Sequence, residues 1–482
     1  MNTTRRGFIT AAALAAAAGA HRAAKAAPTG GKRFYKGQFH THTYWSDGSA
    51  FPEQAIRFYR EAGYDFLGIS DHNVYADSDS HRVRKVGGKG KRIVKQEILD
   101  AYKREFPGCV ETETAADGSL NVVIQPYAKM RKLFEKPGEF LLLDAVEGTT
   151  HVYDENGVEH AVHMNYLNVP GVPEFFRTCG TKATVAQRIG DSLKAVEALA
   201  KEKGRESMFI LNHPIWRWYD VKPEDLVANP EVRFFELCNG GSPYAPGKGL
   251  PSDGFATDRF WDAVNAFRAR RGQPLLYGVG NDDTHGYFGT VSHSPPGIHC
   301  IPYNAWSLVR AEELTAEALI RAMNAGDFAV CEGVQPEDFS FDAASGTLSV
   351  SVAGKKNLCR TIQFIVTKRD FSEKPVRTVT IEPSDAPEDK QKVCARTINV
   401  YDKKKIGCIA KAVSGGIGEG VKASYTMKPD DLYVRARILS PERPPVTAFQ
   451  HPKVHVAWTQ PYLRARLVCA ARAQAADHLG LP

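Results

Sequence analysis

The sequence lacks three patterns that would have assigned the chain to a common functional class. Its nine cysteines include no Cys-x-x-Cys pair, which counts against a cysteine zinc site. No Gly-x-Ser-x-Gly segment and no phosphate loop closed by Lys-Ser/Thr occur, so serine-hydrolase and P-loop mechanisms lack their usual motifs. After the N-terminal segment no apolar run approaches the roughly 20 residues of a transmembrane helix. We therefore expect no stable membrane anchor.

The chain also lacks a strong excess of charge of one sign. It carries 62 Lys and Arg against 55 Asp and Glu, and four of the basic residues lie within the first 26, which leaves 58 against 55. A balance this close to neutral excludes a nucleic-acid footprint spread over the whole surface. We expect no nucleic acid as a partner.

Residues 1–26 are typical of an export signal. Arg5-Arg6 precede an Ala-rich apolar stretch, and small residues at 18–20 and 24–26 offer cleavage sites. The segment resembles a twin-arginine signal. It predicts that the twin-arginine export machinery is a partner and that the mature protein is periplasmic or secreted. Spacing alone assigns no disulfide among the nine cysteines.

Helical and strand patterns alternate from about residue 34 to 334, which favours parallel strands joined by crossover helices. A helix beginning at Pro52 and ended by Gly63 leads into an apolar strand over 66–70. That strand runs directly into Asp71-His72. Three other apolar segments lead into polar residues in the same way: 140–146 before Glu147, 208–211 before Asn212-His213, and 275–279 before Asp283 and His285.

Ligand-type side chains at the C-terminal ends of parallel strands are where a TIM-type barrel builds its active site. We therefore predict an α/β fold with a TIM-like barrel over 34–334, interrupted by a long basic insertion at 74–139. After residue 335, short alternating segments such as 347–352 and 433–438 predict a small C-terminal β-sandwich over 335–465. Residues 466–482 would form a tail.

The strongest local pattern is Phe39-His40-Thr41-His42. Alternation along a strand places both imidazoles on one face, at a spacing that can hold one ion. An H-x-H alone is more often a solvated strand face. Here Asp47 follows in Ser46-Asp47-Gly48, which adds a carboxylate close to the pair.

These segments resemble the opening of PHP-domain (polymerase and histidinol phosphatase) metalloenzymes. Later segments occur in the family's order: Asp71-His72-Asn73, Val146-Glu147-Gly148, His163-Met164-Asn165, Asn212-His213-Pro214 and Asp283-Thr284-His285. The resemblance implies a distorted seven-stranded α/β barrel with three metal positions. The first would use His40, His42, Glu147 and Asp283, the second Glu147 as a bridge with His163 and His213, and the third Asp47, His72 and His285.

Some of these assignments have competitors in the sequence. His151 and His160 lie near His163, and the strand register decides among them. Asp282 competes with Asp283, although only Asp283 satisfies the D-x-H pattern. Glu147 and Asp283 are expected to take part in catalysis as well, with Asp71 orienting the site as an outer partner.

This ligand set implies two or three divalent metal ions, and imidazole with carboxylate suits Zn, Mn or Fe. Such ions lower the pKa of bound water and supply a hydroxide nucleophile, while neutralising charge on a phosphoryl or acyl oxygen. No serine or cysteine nucleophile is then required.

Two basic features bear on the substrate. Lys and Arg crowd the insertion between Arg82 and Lys95, where they could form a mobile cationic lid or, equally, a solvated flexible loop. Arg217 lies between Trp216 and Trp218 and is a candidate clamp for phosphoryl oxygens, although this run could simply cover the barrel rim. The functional interpretation of both features favours a small anionic ester.

We therefore expect a metal-dependent hydrolase acting on ester bonds, most of all a phosphoesterase. The second hypothesis is a carbamate or carboxylic ester hydrolase on the same scaffold, because exported PHP-like proteins with a β-sandwich tail are also similar to the carbaryl-hydrolase (CehA/McbA) group. The third is a non-catalytic binding protein whose metals are structural. The many convergent ligand residues count against the third.

Overall fold

The computed structural model describes residues 31–77, 82–88, 92–153, 155, 157, 159–178, 182–215, 221–240, 256–287, 305–381, 396–442 and 454–464. The predicted export signal, Arg217 with its two tryptophans, and the predicted tail lie outside these ranges. No helix within them is long and apolar enough to cross a membrane.

The region up to residue 334 is a mixed α/β structure. Its strands are β1 Arg33–Gln38, β2 Phe66–Ile69, β3 Val83–Lys85, β4 Glu111–Thr114, β5 Leu120–Val123, β6 Leu141–Tyr153, β7 Glu159–Leu167, β8 Met208–Leu211, β9 Phe234–Asn239, β10 Tyr277–Asn281, β11 Trp306–Ala311 and β12 Phe328–Glu332. Its α-helices are α1 Pro52–Glu61, α2 Gln96–Glu105, α3 Tyr127–Phe134, α4 Val185–Glu202, α5 Pro223–Val227, α6 Ala256–Arg270 and α7 Ala316–Asn324, and a 3₁₀-helix spans Glu174–Arg177.

The region after residue 334 is built from strands in the described ranges. They are β13 Asp338–Asp342, β14 Thr347–Val352, β15 Thr361–Lys368, β16 Arg377–Ile381, β17 Arg396–Val400, β18 Cys408–Ser414, β19 Val421–Thr426, β20 Asp431–Ser440 and β21 His455–Thr459.

One thirteen-stranded sheet runs through both regions, in the order β10-β9-β8-β7-β6-β2-β1-β11-β12-β21-β20-β15-β18. The pairs β1–β2, β2–β6, β8–β9 and β9–β10 are parallel, as expected. The expectation was wrong for the pairs β6–β7, β7–β8, β1–β11 and β11–β12, which are antiparallel. Only residues 154–158 separate β6 from β7, and a parallel crossover needs about a dozen.

Strands β1 and β10 approach each other just beyond their C-terminal ends. The Asp283 N–H donates to the His40 carbonyl at 3.0 Å, and the His42 N–H donates to the Thr284 carbonyl at 2.9 Å. Thr41 and Thr284 form a parallel bridge at this point. The two ends of the N-terminal part of the sheet therefore meet where the ligand-type residues cluster. The closed seven-stranded barrel stays a prediction.

Two helices flank the site, and the first of them begins and ends where the sequence predicts. Helix α1 starts at Pro52, and Gly63 follows its end with a φ of 77°, a conformation that glycine adopts without strain. Helix α4 is capped by Thr184, whose hydroxyl accepts a hydrogen bond from the Gln187 N–H at 3.1 Å. Both helices pack buried apolar faces onto the sheet, which fixes the strands that carry the site.

The described part of the 74–139 insertion is folded and packed, whereas residues 89–91 of its Lys- and Arg-rich segment lie outside the described ranges. The cationic lid and the flexible loop stay alternative predictions for that segment. The described part contains α2, α3 and the small sheet β3-β5-β4. Leu99, Tyr102 and Met130 are fully buried and share one core with Ile56 and Tyr59 of α1. The prediction for the insertion rests on the Lys and Arg residues around residue 90. It does not use these apolar side chains, which indicate a packed core.

In the C-terminal region, the sheet β13-β14-β19 packs against strands of the large sheet. Leu348 and Val350 of β14 share a core with Phe364 of β15 and Ala436 of β20. Strand β21 pairs with β12, so the larger layer is continuous with the N-terminal sheet. A separate β-sandwich domain with a boundary near residue 335 stays a prediction.

Candidate metal centre

The structure brings all nine predicted metal ligands together. Ligand-type atoms lie within 4.8 Å of one another in each of four overlapping groups. The groups are His42, Asp47, His72 and His285; His40, His42 and Asp283; His40, Glu147 and His213; and His72, Glu147 and His163. Most of these residues stand in β6 or β7 or just beyond β1, β2, β8 and β10. Ion binding by the groups stays a prediction.

Glu147 lies at the centre of the cluster and is fully buried. Its Oε2 faces three imidazole nitrogens, which are His40 Nε2 at 3.3 Å, His42 Nε2 at 3.3 Å and His72 Nδ1 at 2.9 Å. Its Oε1 faces two others, which are His163 Nδ1 at 3.2 Å and His213 Nε2 at 3.4 Å. Oε2 nevertheless has no hydrogen bond of normal geometry to any described residue. A carboxylate with different histidines at each oxygen suits a bridge between two cations.

Asp283, and not Asp282, points into the cluster. Asp283 Oδ1 lies 3.2 Å from His40 Nε2 and 3.0 Å from His42 Nε2. Asp282 instead accepts hydrogen bonds from the Ala305 N–H at 2.7 Å and the Tyr59 hydroxyl at 2.9 Å. The choice made from the D-x-H pattern therefore agrees with the geometry.

The register between β6 and β7 places His163 in the cluster. His163 pairs with Thr149, two residues beyond Glu147 on the same face of β6. His160 pairs with Val152, and His151 stacks edge-on against Tyr153 with ring centroids 5.2 Å apart. Neither His151 nor His160 belongs to a ligand group among the described residues.

Three non-glycine residues at the cluster adopt left-handed backbone conformations. Their φ angles are 50° for Asn73, 24° for His213 and 52° for Asp283. Such conformations are costly for side chains with a Cβ and persist only where the surroundings enforce them, which happens most often at functional sites. The positions of His213 and Asp283 are therefore imposed by the fold.

Asp71 orients the loop that carries Asp47 and does not itself join a ligand group. Its carboxylate accepts hydrogen bonds from the backbone N–H groups of Thr43 and Ser46 at 2.8 and 2.9 Å. It also accepts from both hydroxyls, at 2.7 and 2.6 Å respectively. These four bonds use both oxygens, which is the outer-partner role expected from the sequence.

The same loop is held from the other side by the insertion. Arg84 is 7% exposed, and its guanidinium donates to the carbonyls of Tyr44 at 2.7 Å and Trp45 at 2.8 Å. Gly48 packs so closely that an added Cβ would lie 2.4 Å from the His42 carbonyl carbon. Arg84 therefore anchors the loop and is not available to a substrate.

Sequence reasoning missed a group of buried partners, of which Glu236 is the most important. Glu236 lies in β9, is 2% exposed, and its Oε1 is 2.6 Å from His40 Nδ1. Asn212 also supports the cluster, since its amide donates to Glu147 Oε1 at 2.9 Å. The available signal for Glu236 was a single carboxylate inside the apolar run Phe234-Phe235-Glu236-Leu237.

The neighbouring histidines keep the central acids ionised. Burial alone would raise the pKa of Glu147, but the charges of His40 and His72, together with a hydrogen bond from His163, hold this pKa well below its usual range. Asp47 behaves in the same way, because His285 and His72 overcome the effect of burial on its pKa.

The histidines themselves differ. Burial opposes the charged form of His72, but Glu147 and Asp47 raise its pKa to about 9. Burial dominates at His163 and lowers its pKa to about 4, despite the nearby Glu147. His163 is therefore neutral near pH 7, the form in which imidazole binds a metal, whereas His72 must first lose a proton.

No Lys or Arg in the described ranges forms an ion pair with Glu147 or Asp283. Within the described ranges, the positive charge that faces these acids therefore comes from protons on histidines or from bound cations. Neutral imidazole nitrogens and carboxylate oxygens are the donors that Zn, Mn and Fe prefer. The residues present thus fit a site for divalent ions.

No family model and no curated protein matches the chain. Three solved structures are similar to it. A two-domain protein from Bacteroides vulgatus, containing a predicted PHP-like metal-dependent phosphoesterase, is 13% identical with a TM-score of 0.35, covering 90% of this chain and 95% of that chain. A protein from Bifidobacterium adolescentis, assigned by prediction as a metal-dependent phosphoesterase, is 14% identical with a TM-score of 0.27, covering 55% and 92%. An amidohydrolase from Chromobacterium violaceum, with bound sulfate and no metal, is 14% identical with a TM-score of 0.26, covering 55% and 93%. With TM-scores this low, the likeness assigns neither a family nor an activity to this chain.

Proposed function

We propose that the protein is a metal-dependent hydrolase of the PHP type, and most specifically a phosphoesterase with two or three divalent ions. The observation that carries the proposal is the position of Glu147, which presents each carboxylate oxygen to a different set of histidines. A structural site for one ion needs about four ligands, and this cluster offers nine in overlapping groups.

The order of the ligands along the chain supports the same assignment. Histidines follow β1, β2 and β8, Glu147 lies in β6, and Asp283 with His285 follows β10. This is the order in which the PHP family presents its ligands. We infer that β1, β2 and β6 to β10 form the family's distorted barrel, with the cluster at the C-terminal ends of the parallel strands.

Exposure indicates the side from which a substrate would approach. The side chains of His40 and His42 are fully buried, whereas those of Asp47 and His72 are 30% and 24% exposed. The substrate would therefore meet the centre on the side of Asp47, His72 and His285. When bound, divalent ions would lower the pKa of a water molecule and neutralise charge on the ester group.

The residues around the centre then have distinct tasks. Glu147 would be shared between two ions, and neutral His163 would complete one of their ligand sets. Asp71 keeps Asp47 in place through Thr43 and Ser46. The twin-arginine pattern in residues 1–26 supports export, with folding and metal uptake before the protein crosses the membrane.

A substrate screen tests the proposal. Purified protein reconstituted with Zn²⁺, Mn²⁺ or Fe²⁺ is assayed against aryl phosphate mono- and diesters, aryl carbamates and carboxylic esters, with Glu147→Ala as the inactive control. We expect the fastest turnover on a phosphate ester, with loss of activity in a chelator and its return on adding metal. Faster turnover of a carbamate or carboxylic ester would replace the phosphoesterase assignment. Metal binding without turnover of any ester would favour the non-catalytic hypothesis.

A further inference from the structure

Four hydrogen-bond donors converge on the carboxylate of Glu236. His40 Nδ1 at 2.6 Å and the Asn281 amide nitrogen at 2.9 Å lie at Oε1. The His213 backbone N–H at 2.9 Å and the Asn239 amide nitrogen at 2.8 Å lie at Oε2. Glu236 therefore links residues from β1, β8, β9 and β10 beneath the metal centre.

The orientations of both amides are fixed by bonds that do not involve Glu236. The Asn281 side-chain oxygen accepts from the Phe39 N–H at 3.0 Å, so its nitrogen must face Glu236. The Asn239 nitrogen lies between Glu236 and Asp283 Oδ2, the latter at 3.3 Å, and only a donor suits two carboxylates. With the His213 N–H, three of the four partners are donors independently of how His40 is protonated.

This arrangement requires a proton on Nδ1 of His40. An ionised carboxylate only accepts hydrogen bonds, so His40 Nδ1 must donate to Glu236. The other ring nitrogen, Nε2, faces His42 Nε2 at 3.1 Å and Asp283 Oδ1 at 3.2 Å. The nitrogen presented to the ligand cluster is therefore Nε2.

We propose that Glu236 is a positioning residue for metal binding, which holds His40 with its proton on Nδ1 and fixes the His213 backbone. The inference rests on the proposed metal centre and deepens it. Both residues belong to the group His40, Glu147 and His213, and the His213 φ of 24° needs an external constraint. One carboxylate thus supports two members of one candidate ligand group.

The effect of Glu236 is selective. The group His42, Asp47, His72 and His285 lies on the more exposed side and has no hydrogen bond to Glu236 in the described structure. Loss of the carboxylate should therefore weaken the buried position that uses His40 and His213 and leave the outer position filled.

The test compares zinc binding by the full-length wild type, Glu236→Gln and Glu332→Gln. Glutamine has the shape of glutamate, but one carboxylate oxygen is replaced by an NH₂ group. This group cannot accept the hydrogen bonds that the oxygen accepted from its two donors. We expect Glu236→Gln to hold one zinc fewer per chain, with affinity for that position weakened about 10–100-fold. Glu332 is the matched control, because it is also a buried carboxyl, 4% exposed, and its contact is the Cys238 thiol at 3.7 Å. Glu332→Gln should keep the wild-type zinc content.

A Glu236→Gln variant with wild-type zinc content and affinity would overturn this inference alone. A wild type that binds no zinc would overturn the proposed function with it. Should Glu236→Gln not fold, ¹⁵N NMR of the histidines in the zinc-loaded wild type decides, with His40→Gln identifying the His40 signals. The inference expects a protonated Nδ1 and a zinc-bound Nε2 for His40; the reverse pattern would contradict it.

Discussion

Two clusters of buried charged side chains in the described ranges differ in the residues that neutralise their acids. At the contact between α6 and β20, Arg435 and Arg437 neutralise Asp258 and Asp262 with hydrogen bonds of 2.6 to 3.2 Å. At the ligand cluster, Glu147 and Asp283 face histidines and have no Arg or Lys ion pair within the described ranges.

The arginine cluster is complete without any added group. Arg435 binds Asp262 through two parallel hydrogen bonds at 2.8 and 2.6 Å, and the Tyr433 hydroxyl donates to the same carboxylate at 2.8 Å. The Trp458 indole donates to Asp258 at 3.0 Å and is 1% exposed, so this tryptophan is part of the core. One guanidinium nitrogen, Arg435 Nη1, has no hydrogen-bond partner within the described ranges, but permanent cations paired with acids through parallel hydrogen bonds are the features of a structural ion network.

The ligand cluster has the reverse features. Its positive charge is held by titratable histidines, and one oxygen of its central acid lacks a normal hydrogen bond. A buried acidic cluster without arginine can exchange protons for metal ions, whereas one with arginine cannot. Both clusters are buried. They differ in the cation that faces the acids, which is arginine in the arginine cluster and histidine in the ligand cluster.

The largest expected effect comes from removing the acid that the histidines share. Glu147→Ala should empty two metal positions together and lower turnover by more than about 100-fold, beyond the 10–100-fold cost of losing an outer partner. Elemental analysis and the ester assay measure both. The matched control is His151→Gln, which lies on the same face of β6 outside the ligand groups and should keep its metal. Full metal and activity in Glu147→Ala would eliminate the assignment.

The arginine cluster should respond in stability and not in metal content. Arg435→Met leaves Asp262 buried and without its bidentate partner, so the free energy of unfolding in urea should fall by about 3–5 kcal/mol. Metal bound per folded chain should not change. Arg271→Met is the control, because its ion pair with Glu373 is exposed and worth about 1 kcal/mol or less. If both variants lost the same free energy of unfolding, the arginine cluster would not be a structural ion network.

The smallest expected effect is the displacement of a proton. In protein without bound metal, Glu147 and Asp47 raise the pKa of His72 to about 9 against the opposing effect of burial, so His72 is charged at pH 7.5. Metal binding requires its neutral form and should release this proton. Calorimetry in buffers of different ionisation enthalpy should show this release at pH 7.5, and the share that comes from His72 should disappear as pH rises above about 9. A further share comes from His40, whose pKa is raised by Asp283 and Glu147 against the effect of burial. His72→Gln should release one proton fewer; binding heats independent of the buffer would contradict the account.

Local patterns in the sequence predicted several of the elements that carry the ligands, although β1 ends before His40, β6 continues past Glu147, and β7 was not predicted. Strand 208–211 coincides with β8, and the helix that starts at Pro52 is α1. The choice of Asp283 over Asp282 rested on a three-residue pattern, and the geometry agrees with it. These predictions succeeded because capping residues, helical spacing and strand ends are encoded by neighbours in the chain.

Features that depend on distant contacts were not predictable in this way. Glu236 became a partner of His40 only because β9 lies beside β10 and β8 in the sheet. The folding of the insertion depends on packing against α1, and its exposed lysines dominated the local pattern. The antiparallel placement of β7 follows from its short connection to β6, but the sequence patterns had not identified β7 as a strand.

The metal content of the protein tests the central claim most directly. Elemental analysis of protein isolated from its own export pathway, without chelator, should find two or three Zn, Mn or Fe ions per chain. Protein that holds no such ion, and takes up none when metal is added back, would contradict the account and leave the cluster balanced by histidine protons alone.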